Sequence, residues 1–273
     1  MLMCDYFGPS KSDGIAAEDE YPVGWHPHRG FDICTYLIEG IGRHADSLGN
    51  REEFTAPGMQ WCSVGSGIEH AEGGGTPAGQ NTTGFQIWIN VPADRKMDAP
   101  RYGTVPADRL PVVKLPEGVL ARVLAGPLSD VTGPFQTVQA VSMVHYELPA
   151  GAQVDHEVGL DLDNAMVFAF RGDVEVVAAG QRIPELHVAR FDAGDKERRR
   201  ITLKAGASGA GLMLFAGKAL RQPIAWRGPI VMNTQEELAS TFMELRSGKF
   251  PPVRTPFDYR RLSAFPADHP ARA

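Results

Sequence analysis

Cysteine is scarce in this chain. Its 273 residues include three, Cys4, Cys34 and Cys62, and an odd, sparse set builds no disulfide framework. A reducing compartment is the simplest setting, so the expected location is cytoplasmic. No apolar run approaches the roughly 18 residues needed to span a bilayer, and no secretory signal is visible, so no membrane role is expected. Positive charge is also in deficit: 27 Lys and Arg against 33 Asp and Glu leave a net charge of −6. That excludes an electrostatic grip on nucleic acid, which needs a basic footprint. The one dense basic run, Lys196 to Arg200, reads as a solvated loop before a strand at Ile201. There is no Ser-His-Asp set and no dinucleotide fingerprint. Gly73-Gly74-Gly75 follows a strand without a helix pattern behind it, so it is no phosphate loop and reads as a flexible rim beside Glu72.

Turn formers and apolar residues are plentiful. Apolar residues make up 43% of the chain, with 30 Gly and 21 Pro. Outside low-complexity sequence, that combination means short strands joined by tight turns. Phe31–Ile38, Met59–Val64 and Gly84–Val91 are runs of β-branched and aromatic residues bounded by turn residues. The Pro-rich stretch from Asp94 to Glu117 reads as an irregular connector. A second strand family then covers Val138–Leu148, Asn164–Phe170, Val174–Ala178, His187–Phe191, Ile201–Lys204 and Ala210–Ala216, with Asp192–Asp195 as one of its turns. Two β units of similar size suit the length. The expected domains are residues 1–115, 116–230 and a C-terminal helix and tail, 231–273.

One helix is expected. Thr234 and Glu237 form a capping box, Leu238, Phe242 and Leu245 make an apolar stripe for packing against a sheet, and Gly248 supplies the stop. The last twenty residues read as a loosely held tail.

Two histidine motifs carry the chemistry. In a strand, residues i and i+2 share a face. His26 and His28 therefore make a two-pronged bite, and His70 and Glu72 repeat it. Neighbouring strands would bring three imidazoles and one carboxylate around a point. Imidazole suits Fe, Ni, Cu and Zn, and one carboxylate balances charge. Such a site on Fe(II) keeps a net charge of +1 and open positions, an arrangement for catalysis rather than closed structural binding.

The spacing resembles the cupin pattern, with Gly40 after the His-x-His strand and Pro57-Gly58 before the last His. Within cupins the chain resembles the pirin family over essentially its whole length. The blocks are His26–Phe31, Thr35–Gly40, His44–Asn50, Pro57–Trp61, Gly67–Glu72, Phe85–Asn90 and Gly228–Glu237. The resemblance implies an all-β fold of two cupin β-sandwich (jelly-roll) barrels face to face, with a metal in the N-terminal barrel only. The implied ligands are His26, His28, His70 and Glu72. The implied metal is Fe(II), with Ni, Cu, Mn or Zn as other divalent choices. The implied activity is that of a quercetin 2,3-dioxygenase, cleaving a small aromatic substrate with O2, and Glu72 is then the catalytic residue. The alternative is a non-enzymatic, redox-dependent regulator that binds a transcription factor or metabolic enzyme as a protein partner. A monomer is expected. Asp32 stands where the family often has Glu, and the first residues look like the middle of the family's N-terminal region, as if earlier strands were missing.

Other residues have narrower readings. His44 is either a partner of a ligand histidine or a turn histidine bonding its own loop. Cys34 and Tyr36 share strand parity with His28 if no bulge intervenes, which would put them on the cavity wall. Trp61 and Trp88 read as core. Arg29 holds either an anionic substrate or a carboxylate on a neighbouring loop. Asp155-His156-Glu157 is the second domain's only candidate, and because its neighbours face opposite ways it reads as a degenerate site.

Overall fold

The run from Phe31 to Glu39 alternates two faces, and the chain's first layer is organised around it. The computed structural model describes residues 1–17, 20–192 and 199–261. The chain divides into two compact units: Met1–Ala107 together with the chain from Arg221 onward, and Asp108–Leu220.

The first unit contains β1 (Met3–Lys11), β2 (Val23–His28), β3 (Phe31–Glu39), β4 (Ile41–Asp46), β5 (Arg51–Thr55), β6 (Met59–Ser63), β7 (Ile68–Glu72), β8 (Asn81–Asn90) and β9 (Arg101–Val105). They form two antiparallel sheets, ordered β1-β8-β3-β6-β9 and β2-β7-β4-β5. Phe31, Ile33, Cys62, Val64 and Trp88 of the larger sheet and its margins pack with Ile68 of the smaller one. Each such side chain contributes about 1.5–3 kcal/mol by leaving water. The chain passes from the smaller sheet to the larger at Arg29–Gly30. Gly30 has φ +89, and a Cβ there would run into the Val231 carbonyl oxygen, so only glycine makes this crossing without strain.

The second unit contains β10 (Val112–Lys114), β11 (Leu120–Leu128), β12 (Val131–Pro134), β13 (Val141–Leu148), β14 (Gln153–Glu157), β15 (Asn164–Arg171), β16 (Val174–Val176), β17 (Gln181–Ile183), β18 (His187–Asp192), β19 (Arg200–Ala205) and β20 (Ala210–Gly217). One sheet runs β10-β11-β13-β20-β15-β18, with β12 on β11, and the other runs β14-β19-β16-β17. Val144, Tyr146, Val167, Leu203 and Leu212 are among its core residues.

The chain then returns to the first unit. β21 (Ala225–Arg227) and β22 (Ile230–Met232) form a hairpin, and α1 (Gln235–Arg246) packs on it through Leu238. Thr234 and Glu237 form the capping box, and Gly248 follows at φ +69.

Several segments differ from expectation. The connector at 94–117 contains two short edge strands, β9 on β6 and β10 on β11. β9 pairs with a strand far away in sequence, whereas β10 and β11 form a local hairpin around Pro116, and the prolines at 106, 111 and 116 mask both. Leu120–Leu128 and Val131–Pro134 are strands, whereas Val138–Ala140 is not. Residues near the start form β1, an edge strand on β8. The basic run is not wholly solvated: Arg199 is buried and donates to the carbonyls of Val158, Gly159 and Leu162. Its residues 196–198, most of the turn expected at 192–195, and the tail beyond residue 261 lie outside the described residues.

Candidate metal centre

β2 and β7 are adjacent and antiparallel, with His26 directly opposite His70 and His28 opposite Ile68. Period-two geometry turns His26, His28 and His70 to one face, and the ring nitrogens of the three lie within 4.8 Å of one another. His26 and His70 touch through their Nε2 atoms at 2.9 Å. The ring centroids of His28 lie 4.7 Å from His26 and 4.8 Å from His70. Phe31 and Trp88 wall the far side of His28, at 5.2 and 5.1 Å.

The hydrogen bonds orient these rings. His26 Nδ1–H donates to the Gly24 carbonyl at 2.8 Å, and His28 Nδ1–H to the Pro229 carbonyl at 3.2 Å. A neutral imidazole that donates from Nδ1 carries its lone pair on Nε2. His28 Nε2 is buried and has no hydrogen-bond partner. Burial pushes His28 down to about 3, helped by His26 and opposed by the Pro229 carbonyl. Burial, with His28, His44 and His26 nearby, also holds His70 well below the ordinary imidazole value. His28 and His70 are held neutral, ring nitrogens of all three histidines converge, and His28 Nε2 has no partner, so these residues fit a divalent metal.

Glu72 lies two residues beyond His70 on β7. Gln86 Nε2 donates to its Oε1 at 2.5 Å, and Thr35 Oγ1 and Gln60 Nε2 donate to its Oε2 at 3.3 and 3.4 Å. Trp88 Nε1 donates to Gln86 Oε1, which turns the Gln86 amide toward Glu72. A carboxylate has about four lone-pair directions. Three are taken by neutral donors, and one is left. Glu72 also lines a cavity of about 530 Å³ whose walls include Phe7, Leu37, Phe54, Gly73 and Gly74. The glycines at 73 and 74 thus form part of its rim.

Cys34 and Tyr36 are not on that wall. Thr35 and Leu37 are, because the crossing at Gly30 moves the chain into another sheet and strand parity does not carry across it. Cys34 is buried, as are Trp61 and Trp88. His44 sits in a strand rather than a turn. It is buried, donates from Nε2 to Asp46 Oδ2 at 3.0 Å, stacks on Tyr102 at 4.4 Å and lies edge-on to His70 at 5.5 Å. Arg29 holds a carboxylate, but one on α1: it reaches Glu244 at 2.6 Å, Thr241 at 2.8 Å and the Ser66 carbonyl at 2.7 Å. His156 is buried against the Tyr146 hydroxyl at 2.8 Å, while Asp155 and Glu157 are exposed. Among the described residues, His26, His28 and His70 are the one cluster of metal-ligating type. Sequence reasoning missed Thr35, Gln60 and Gln86. The available signal was a polar residue with apolar neighbours on both sides within its strand.

Comparison with known proteins is consistent with this geometry. The model described as Pirin matches residues 1–89, and the Pirin C-terminal cupin domain matches residues 143–251. The chain belongs to the pirin family. A pirin-like protein of Caulobacter vibrioides is 35% identical over 82% of this chain and 79% of its own. A Pseudomonas aeruginosa protein with the provisional name quercetin 2,3-dioxygenase is 34% identical over 90% of this chain and 85% of its own. The crystal structure of a quercetin 2,3-dioxygenase from Acinetobacter baumannii superposes with TM-score 0.81 at 26% identity, covering 91% of this pirin and 85% of that chain. The two β units of this pirin are accordingly cupin domains. No helix among the described residues is long and apolar enough to cross a membrane.

Proposed function

We propose that this pirin is an oxygen-consuming enzyme of the quercetin 2,3-dioxygenase type, acting on a flavonol- or catechol-like aromatic. His26, His28 and His70 would hold one divalent metal, iron(II) in first place; Glu72, expected as the fourth ligand, is not part of the three-histidine cluster, and it would serve beside the metal as the base. One observation carries this reading. Three imidazoles converge within 4.8 Å, on the strand pair that also presents Glu72 to a cavity of about 530 Å³. The likeness to dioxygenases supports it.

A bound metal of this kind supplies Lewis acidity toward an anionic oxygen and electrons toward O2. The chain's own residues do the rest. Burial keeps His28 and His70 neutral and ready to donate lone pairs. Phe7, Leu37 and Phe54 offer apolar walls to a flat ring. Glu72 keeps one free lone-pair direction, enough to accept the proton of a flavonol hydroxyl as general base. Its other three directions stay with Gln86, Thr35 and Gln60, so accepting that proton need not move the side chain. The three cysteines are unpaired thiols, which suits a reducing cytosol.

The test is oxygen uptake by Fe(II)-reconstituted protein given quercetin. Wild type should consume oxygen, His70→Ala should lose both iron and uptake, and Glu72→Gln should keep iron and lose most of the uptake. Wild type that holds one iron and takes up no more oxygen than His70→Ala would remove the dioxygenase reading and leave a metal-binding protein.

A further inference from the structure

The three histidines come from the first 70 residues, yet the groups that hold them in place come largely from the last 50. His28 Nδ1 donates to the carbonyl of Pro229, on the β21–β22 hairpin. Its neighbour Arg29 bridges to Ile230, its carbonyl accepts from Val231 N at 3.0 Å, and its side chain enters α1 at Thr241 and Glu244. The Arg29 guanidinium also lies 5.0 Å from the Phe250 ring centre. The same ring leaves room only for glycine at Gly67, at the entrance to β7, where a Cβ would meet it at 2.6 Å.

A second anchor sits on the opposite flank. Glu69, next to His70, accepts from the Tyr259 hydroxyl and from Arg260 at 2.7 and 2.8 Å. Trp25, next to His26, packs on the Tyr259 ring at 5.4 Å. Thr255 N donates to the carbonyl of Ser47, and Ser47 in turn is hydrogen-bonded to Glu69 through both its backbone and its hydroxyl. Each of His26, His28 and His70 is therefore either bonded to residues 229–260 or adjacent to a residue that bonds or packs on them.

We infer that the returning C-terminal segment positions the metal site, and that metal loading and docking of this segment are thermodynamically coupled. The inference rests on the three-histidine metal reading but not on any dioxygenase activity. A bound metal would fix the rings of His28 and His70. Fixed rings favour the Pro229 carbonyl contact and the strand geometry that presents Arg29 and Glu69. Linkage then works in both directions: whatever the segment contributes to metal affinity, the metal returns to segment docking. Pro229, Glu244 and Tyr259 are positioning residues. They act through His28, Arg29 and Glu69, and outer partners of this kind commonly alter metal affinity by about 10–100-fold.

The experiment uses full-length protein and Ni(II), with affinity read by chelator competition and docking by amide hydrogen exchange. In wild type, Ni(II) should slow exchange in 229–246 and 255–260. Glu244→Gln and Tyr259→Phe, both mild and away from the imidazoles, should each weaken Ni(II) binding about tenfold and shrink the protection that Ni(II) confers. A merely structural role would lower protection with and without Ni(II) alike and leave affinity unchanged. Wild type that binds Ni(II) tightly, with unchanged exchange in these segments and wild-type affinity in both variants, overturns the coupling alone. Wild type that binds no Ni(II) overturns the metal reading and the coupling with it.

Discussion

His26 and His70 face each other across the β2–β7 ladder with their Nε2 atoms 2.9 Å apart. His26 already donates from Nδ1 to Gly24, so in metal-free protein its Nε2 is the acceptor and His70 Nε2 the donor. The contact tolerates one proton between the two nitrogens. A second would set two N–H groups head to head at 2.9 Å.

Acid should therefore unfold the metal-free protein early. His28 is pushed down to about 3 and His70 well below 6.5 in the fold, whereas in the unfolded chain each takes up a proton near 6.5. The unfolded state binds more protons as pH falls, so stability is intact above about 6.5 and is lost progressively toward about 3. His28 alone should cost about 2 kcal/mol by pH 5. Urea midpoints at pH 7 and 5 measure this, and His28→Asn should show a smaller drop. Equal drops in wild type and variant would contradict the assignment.

Gln86→Leu removes the closest donor to Glu72 and strands the Trp88 indole N–H. Each loss leaves a buried polar group unsatisfied, so metal-free stability should fall by about 1–3 kcal/mol. Gln86→Asn, which keeps an amide, should recover part of it. Denaturant melts that place both variants at wild-type stability would show that the hydrogen bonds around Glu72 contribute little.

Arg29→Ala should be among the more destabilising single changes, at about 3 kcal/mol or more, because it leaves Glu244, Thr241 and the Ser66 carbonyl without their donor. Lysine carries the charge but not the planar fork, so Arg29→Lys should restore less than half of the loss. Thermal unfolding of the three proteins decides it; a neutral Arg29→Ala would mean that α1 is held by its apolar face alone.

Gly30→Ala should cost more than the roughly 1 kcal/mol of an ordinary glycine replacement, since positive φ and the Val231 carbonyl both oppose a Cβ. It should weaken metal binding as well, because the crossing sets the direction in which His28 leaves β2. Retention of full metal affinity in a folded Gly30→Ala protein would separate the crossing from the site.

Much was legible in the sequence because it depends on short-range rules. Alternation along β2 and β7 put His26 with His28 and His70 with Glu72 on common faces, whatever lay around them. Turn residues marked most strands, and the Thr234 capping box located α1. Tertiary structure decided what depends on pairing across distance: that β2 and β7 are neighbours in a register that opposes His26 to His70, and that β9 exists at all. It also reversed the expected wall of the cavity, from Cys34 and Tyr36 to Thr35 and Leu37. Parity holds only within one continuous strand, and the chain changes sheets at Gly30. The partners of Arg29 and Glu69 lie about 190 to 215 residues away, and no local pattern encodes contacts that only the return of the chain to its first unit can make.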